Sequence, residues 1–157
     1  MKTAAAIICM LLFAAGGYCM IETLSTERLA HGADVIVIAD IIGVKPVGLK
    51  EKNLEVIANL IKVHEPLKGG VAVGEELKIK TWRGIEDNAI LQEGTRALLF
   101  LKNSGDHYTV FNGLQGWWPV NEDGSFAGMG DGISLEKVKE AIKSPPPASS
   151  TYVPVSF

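Results

Sequence analysis

The sequence predicts an all-β fold, a small barrel of five or six strands followed by a C-terminal helix. Three observations lead there. Residues 33–63 hold two long apolar runs separated by a polar stretch. The in/out alternation of the second run slips by one residue near its middle, as a β-bulge would make it do, and bulges let long strands curl until a small sheet closes. Shorter alternating segments follow, punctuated by many of the 17 glycines, and one helical pattern stands near the end of the chain.

Taken in order, the first 19 residues are expected to be a signal peptide. Lys2 is a short basic region, and residues 4–15 are apolar but too short to span a bilayer as a helix. Small residues at Ala15 and Gly17 suit cleavage after Gly17, and cleavage after Cys19 stays open. The mature protein is therefore placed in a periplasm or outside the cell, with no transmembrane segment once the leader is removed. Of the two cysteines, Cys9 lies in the leader and Cys19 at its edge, so the mature domain has no disulfide. Tyr18, where a lipoprotein signal needs a small residue, argues against lipidation of Cys19.

Residues 20–143 are read as one domain. Ser25 or Thr26 caps a short helical turn that Gly32 stops. Residues 33–44 form strand one, apolar enough to be covered in part on both faces, or bent, with Gly43 permitting the bend. Residues 44–52, with Lys45, Pro46, Gly48, Lys50 and Lys52, read as a solvated hairpin tip, or alternatively as a basic contact loop. In strand two, residues 53–63, Leu54, Val56, Ala58 and Leu60 are expected to face inward and Glu55, Ile57 and Asn59 outward, until the phase slips at Ile61. Pro66 and Gly69–Gly70 break it. Strand three, 75–82, alternates Leu77, Ile79 and Thr81 against Lys78, Lys80 and Trp82. A loop covers 83–94, and strand four, 95–102, has a centre apolar enough to be buried. A tight turn at 103–106 leads into strand five, 107–112. Residues 113–120 are short and extended, and 121–132 form a glycine-rich loop. Ser134 caps a helix over 135–143 with Leu135, Val138 and Ile142 on one face. The proline- and serine-rich residues 144–157 form a tail with no core of their own.

Three segments carry a resemblance. Ala33-Asp-Val-Ile-Val-Ile-Ala39, Val63-His-Glu-Pro-Leu-Lys-Gly69 and Glu93-Gly-Thr-Arg-Ala-Leu-Leu-Phe-Leu101 are similar to the opening strand, the strand-two ending and a later strand of netrin-type domains, the module shared with tissue inhibitors of metalloproteinases. The match runs from about residue 33 to 143 and resembles cysteine-free bacterial secreted relatives. It implies an OB-like five-stranded barrel. It does not bring the inhibitory chemistry with it, because that chemistry uses a disulfide-tethered N-terminal cysteine and Cys19 has no partner to tether it.

No catalytic constellation, metal site or cofactor motif stands out. His31, His64 and His107 are more than thirty residues apart and each lies beside a turn, unlike clustered metal ligands. Ser104, Asp106 and His107 sit where turn formers belong. Asn121-Glu-Asp-Gly-Ser125 lacks the spaced acids of a calcium loop. A formal charge of -3, with no basic stripe, makes nucleic acid a poor partner. The candidate binding residues are Trp82, Trp117 and Trp118. On an extended chain the adjacent pair turns to opposite faces, with Trp118 inside beside Val120 and Trp117 outside, where it and Trp82 would form an aromatic platform; the favoured alternative is that both tryptophans cover the barrel end under the glycine-rich loop or the tail. The expectation is a non-catalytic binding or interaction module whose partner is a protein, peptide or glycan of the cell envelope. The alternatives are a protease inhibitor by family analogy and a small enzyme built from loop residues such as His64 and His107.

Overall fold

A computed structural model describes residues 23–51, 54–128 and 132–147. The expected signal peptide and most of the expected tail lie outside them. Helix α1 (Thr26–Gly32) starts where the Ser25 hydroxyl oxygen accepts the Arg28 amide at 3.3 Å. It leaves Leu29 and Ala30 buried. Six strands follow: β1 (Val35–Glu51), β2 (Leu54–Lys68), β3 (Glu76–Arg83), β4 (Arg96–Asn103), β5 (Tyr108–Val110) and β6 (Trp117–Pro119). Helix α2 (Leu135–Lys143) closes the domain, with the Ser134 hydroxyl oxygen accepting the Lys137 amide.

The strands run β1-β2-β3-β5-β4, and β4 returns to pair with β1, so five strands close an OB-like barrel. All ladders are antiparallel except β3–β5. The short β6 adds to β4 through Ala97↔Pro119, Leu98↔Trp118 and Leu99↔Trp117.

Two apolar clusters explain the near-continuous hydrophobicity of β1 and β4. Val35, Val37, Ala39 and Ile41 of β1 fill the barrel with Ala97, Leu99 and Leu101 of β4. The intervening Ile36, Ile38, Leu98 and Phe100 face outward into a second layer with Leu29, Trp118 and Val138. A strand buried on both faces has no polar side to display. Helices α1 and α2 contact each other in that outer layer and reach the end of β2 through Leu67, Lys68 and the Lys139–Glu65 ion pair, whereas Val56, Ala58, Leu60 and Trp82 are not among the described residues packed into it.

Strand two departs from its expected phase. Ile57, Asn59, Ile61 and Val63 are all buried while Val56, Ala58 and Leu60 are half-buried, so the alternation never slips. The bulge does fall opposite the Leu60–Ile61 step, but on the partner strand. Ile41 pairs with Ile61 and Gly43 with Leu60, leaving Ile42 as the extra residue. Further register shifts leave Leu67 and His64 extra on β2.

Both strands are also longer than expected. The stretch read as a hairpin tip is still ladder, with Lys45↔Ala58, Pro46↔Ile57 and Lys50↔Glu55. Pro66 lies inside β2, opposite Val37. Each proline falls where its strand is paired on one side only: β1–β4 pairing ends at Asp40, and β2–β3 pairing ends at Lys62. A missing N–H is tolerated on such an edge. Residues 113–116, expected to be extended, form a 3-10 turn.

The Leu-Lys-Gly ending of β2 ties barrel to helix. Lys68 Nζ donates to the carbonyls of Ala30 at 2.8 Å and Ala33 at 2.6 Å, at the carbonyl end of α1. A cation there also meets the negative end of the helix dipole. Burial pushes the Lys68 ammonium below its ordinary range, and Asp34 works against that shift. Gly69 follows at φ +97°, and a Cβ there would stand 2.8 Å from Val35 Cγ2 and 3.1 Å from the Asp34 carbonyl oxygen. Gly69→Ala is therefore expected to cost about 2 kcal/mol and lower Tm by roughly 5–10 °C. Gly70→Ala, with open space around its Cβ, is the matched control. Equal melting curves for the two variants would remove the close approach at Gly69.

Candidate functional site around Trp82

One end of the barrel is closed by the loop 84–95 rather than by a helix. Ala89 and Leu91 of that loop are buried with the barrel-filling side chains. They meet Val44, Ile57, Asn59, Thr81 and Arg83 around a cavity of about 40 Å³, with Trp82 and the exposed Ile90 at its border. That volume suits roughly two or three water molecules or one small group. The loop is pinned at two points. Asn88 Nδ2 donates to the Trp82 carbonyl, and the Leu114 amide donates to the Asp87 carbonyl at 2.8 Å. Asp87 (φ 63°) and Asn112 (φ 54°) take left-handed conformations beside this second contact, which their side chains tolerate better than most.

Asn59 is the polar residue at this end that sequence reasoning placed on the wrong face. It is 2% exposed. Its Nδ2 lies 3.3 Å from the carbonyls of Ile57 and Ile79 and 3.0 Å from Thr81 Oγ1. Two carbonyl acceptors fix which end of the amide is the donor. Asn59 Oδ1 is buried and accepts no hydrogen bond. At the strand ends, Arg83 Nη1 reaches Glu55 Oε2 at 2.7 Å, directly across the β2–β3 ladder.

The three tryptophans do not share a surface. Trp118 is 1% exposed. Its Nε1 donates to the Gln115 carbonyl at 2.6 Å and its ring meets Phe100 edge-on, centroids 4.9 Å apart. It is a core residue that no ligand in solvent reaches. Trp117 does turn to the opposite face, as expected, but that face is the barrel interior. It is half-buried against the barrel-filling cluster, with Nε1 buried and unpaired. Trp82 is half-buried on β3, opposite Val56. By strand alternation its indole belongs to the outer face that carries Lys78 and Lys80.

Each histidine has its own surroundings. His31 Nε2 lies 3.5 Å from Ser144 Oγ. His64 Nε2 lies 3.3 Å from Arg96 Nη1 at the start of β4. His107 Nδ1 lies 2.6 Å from Asp106 Oδ1, beyond the other end of β4. Those two ends are about 20 Å apart along the strand, so His64 and His107 do not meet in one cleft. Asp40 receives both Arg96 Nε at 2.7 Å and Nη2 at 3.0 Å, and this pairing holds its carboxyl below the ordinary range against some burial. Among the described residues no group of three or more His, Cys, Asp or Glu is arranged to hold a metal ion. Asp123 Oδ1 accepts the Ser125 amide and hydroxyl at 2.9 and 2.6 Å, so the 121–125 turn is held by its own side chain.

The fold and this barrel end define an OB-like domain with a half-buried sheet face beside a plugged barrel mouth. No protein-family model matches the chain, and no curated protein emerges as a relative.

Proposed function

We propose that the protein is a non-catalytic binding module, secreted or periplasmic, whose ligand-facing part is the outer face of β1–β3 around Trp82. The carrying observation is an asymmetry of cover. The outer faces of β4 and of the first part of β1 are packed under two helices, while Val56, Ala58, Leu60 and Trp82 are half-buried and, among the described residues, stand outside that layer. Half-exposed aromatic and aliphatic side chains on a rigid sheet suit contact with a partner better than contact with water. OB folds commonly bind through the face of their second and third strands, which adds an analogy at the level of fold alone. Membership of the netrin-type class belongs to the same proposal and rests on the three sequence segments that resemble it. Among the described residues no helix is long and apolar enough to cross a membrane.

Screening the expressed protein on peptide and glycan arrays tests the reading. The expected result is a ligand whose Kd weakens at least about tenfold, near 1.4 kcal/mol, in Trp82→Ala, with Tm unchanged. Ligands that bind Trp82→Ala as tightly as the wild type would move the site elsewhere. An absence of any array ligand would count against a binding module for these two classes.

A further inference from the structure

The β1–β3 outer face is ordered in charge as well as in cover. Ladder register sets Lys45 opposite Ala58, and Ala58 opposite Lys80. The next row sets Gly43 opposite Leu60, and Leu60 opposite Lys78. In the first row the small Ala58 thus stands between two lysines about 10 Å apart, two strand spacings, while in the second Leu60 stands between Gly43 and Lys78. Lys45 and Lys78 are exposed, and Lys80, 40% exposed in its side chain, has only the distant Asp106 carboxylate at 4.0 Å. One row further on, Lys62 stands opposite Glu76, so the positive charge is locally compensated there. Along β3, Lys78, Lys80 and Trp82 occupy three successive positions of one face, each about 6.8 Å from the next.

We propose that this face binds a short acidic peptide segment in extended form, with carboxylates on two alternate residues and an apolar or aromatic side chain on the next alternate one. The spacing of side chains on one face of an extended peptide matches that of Lys78, Lys80 and Trp82, so each anchor meets its complement without bending the ligand. Ala58, opposite Lys80, leaves room for its backbone. A short ligand fits better than a long polyanion, because the chain carries a net charge of -3. A polymer extending past the lysines would run over Glu76 and Asp106. The inference rests on the binding-module reading and adds the chemistry of the ligand.

A labelled peptide with two glutamates and a phenylalanine at alternate positions, titrated with the full protein by fluorescence anisotropy at low salt, provides the test. Binding is expected to weaken at least tenfold in Lys78→Gln/Lys80→Gln and in Trp82→Ala, to weaken with added salt, and to weaken when the glutamates are moved to adjacent positions. Because both lysines are surface residues, melting curves of the double variant should superimpose on the wild type. Loss of binding in Trp82→Ala but not in the double lysine variant would keep the face and overturn the acidic ligand. No binding of the peptide by the wild type, or tighter lysine-dependent binding of heparin or single-stranded DNA, would overturn the proposal outright.

Discussion

Trp118→Ala is expected to lower the stability of the domain by about 3–5 kcal/mol, the range for removing a large aromatic side chain from a core. Trp118 sits where three elements meet: it pairs with Leu98 on β4, packs edge-on against Phe100, and donates from Nε1 to the Gln115 carbonyl. Gly128 lies so close that a Cβ there would stand 3.0 Å from the indole, so little backbone is left to collapse into the void. The midpoint of urea unfolding should fall sharply with an unchanged slope. Trp118→Phe separates the components. It keeps a ring against Phe100 but removes the Nε1 hydrogen bond to the Gln115 carbonyl, a loss of about 0.5–1.5 kcal/mol. If alanine and phenylalanine cost the same, the ring contact contributes nothing, and the role of Trp118 in joining helix layer to barrel is wrong.

Where the sequence was legible, the signal was local. The α2 boundaries follow from Ser134 and a helical apolar spacing, and the two ends agree with the expected residues. The inward set Leu77, Ile79 and Thr81 follows from simple alternation, and all three are buried. That same alternation already put Lys78, Lys80 and Trp82 on one face. What failed depended on partners distant in sequence. Lys45 and Pro46 look like turn residues, yet β1 continues through them and pairs with Ala58 and Ile57 of β2, and no local pattern records that length. Alternation alone leaves open whether Trp117, opposite in face to Trp118, meets solvent or covers the barrel, and it packs against the barrel-filling cluster. A two-layer fold gives both faces of an extended segment something to pack against, so opposite faces did not mean opposite exposure.

The phase of β2 is the most instructive miss, because a single residue decided it. Asparagine is usually exposed, so Asn59 was read as pointing out. Its neighbours Ile57 and Ile61, which are buried, then required an invented slip. The physical reason for its burial is a cross-strand one: the donors of its amide are taken up by the Ile57 and Ile79 carbonyls and by Thr81. The donor half of the buried amide is thus paired, while Oδ1 is left without a donor.

Asn59→Asp follows from that arrangement and should be nearly as damaging as the loss of Trp118, but only at neutral pH. Aspartate keeps the shape and removes the donor. An ionised carboxylate would face the Ile57 and Ile79 carbonyl oxygens at the distance the amide now occupies, 3.3 Å, and among the described residues no lysine or arginine is hydrogen-bonded to the Asn59 side chain. Burial without a compensating charge raises a carboxyl pKa. The folded variant would then hold its proton at a pH where the unfolded chain, near 3.9, has lost it. The sign follows by linkage. Below about pH 4 the protonated carboxyl donates one hydrogen bond where the amide has two donors, and the deficit relative to wild type is at its smallest. As pH rises towards the elevated folded-state value, the deficit grows by up to about 1.4 kcal/mol per pH unit, then levels off at about 3–5 kcal/mol, the cost of an uncompensated buried charge. Chemical unfolding of variant and wild type at pH 4.5 and 7.5 reads this directly, and the difference between the two proteins cancels the titration of all other carboxyls. A deficit independent of pH would place the Asn59 side chain in solvent. It would restore the outward phase of β2, and with it remove the buried amide from the barrel end beside Trp82.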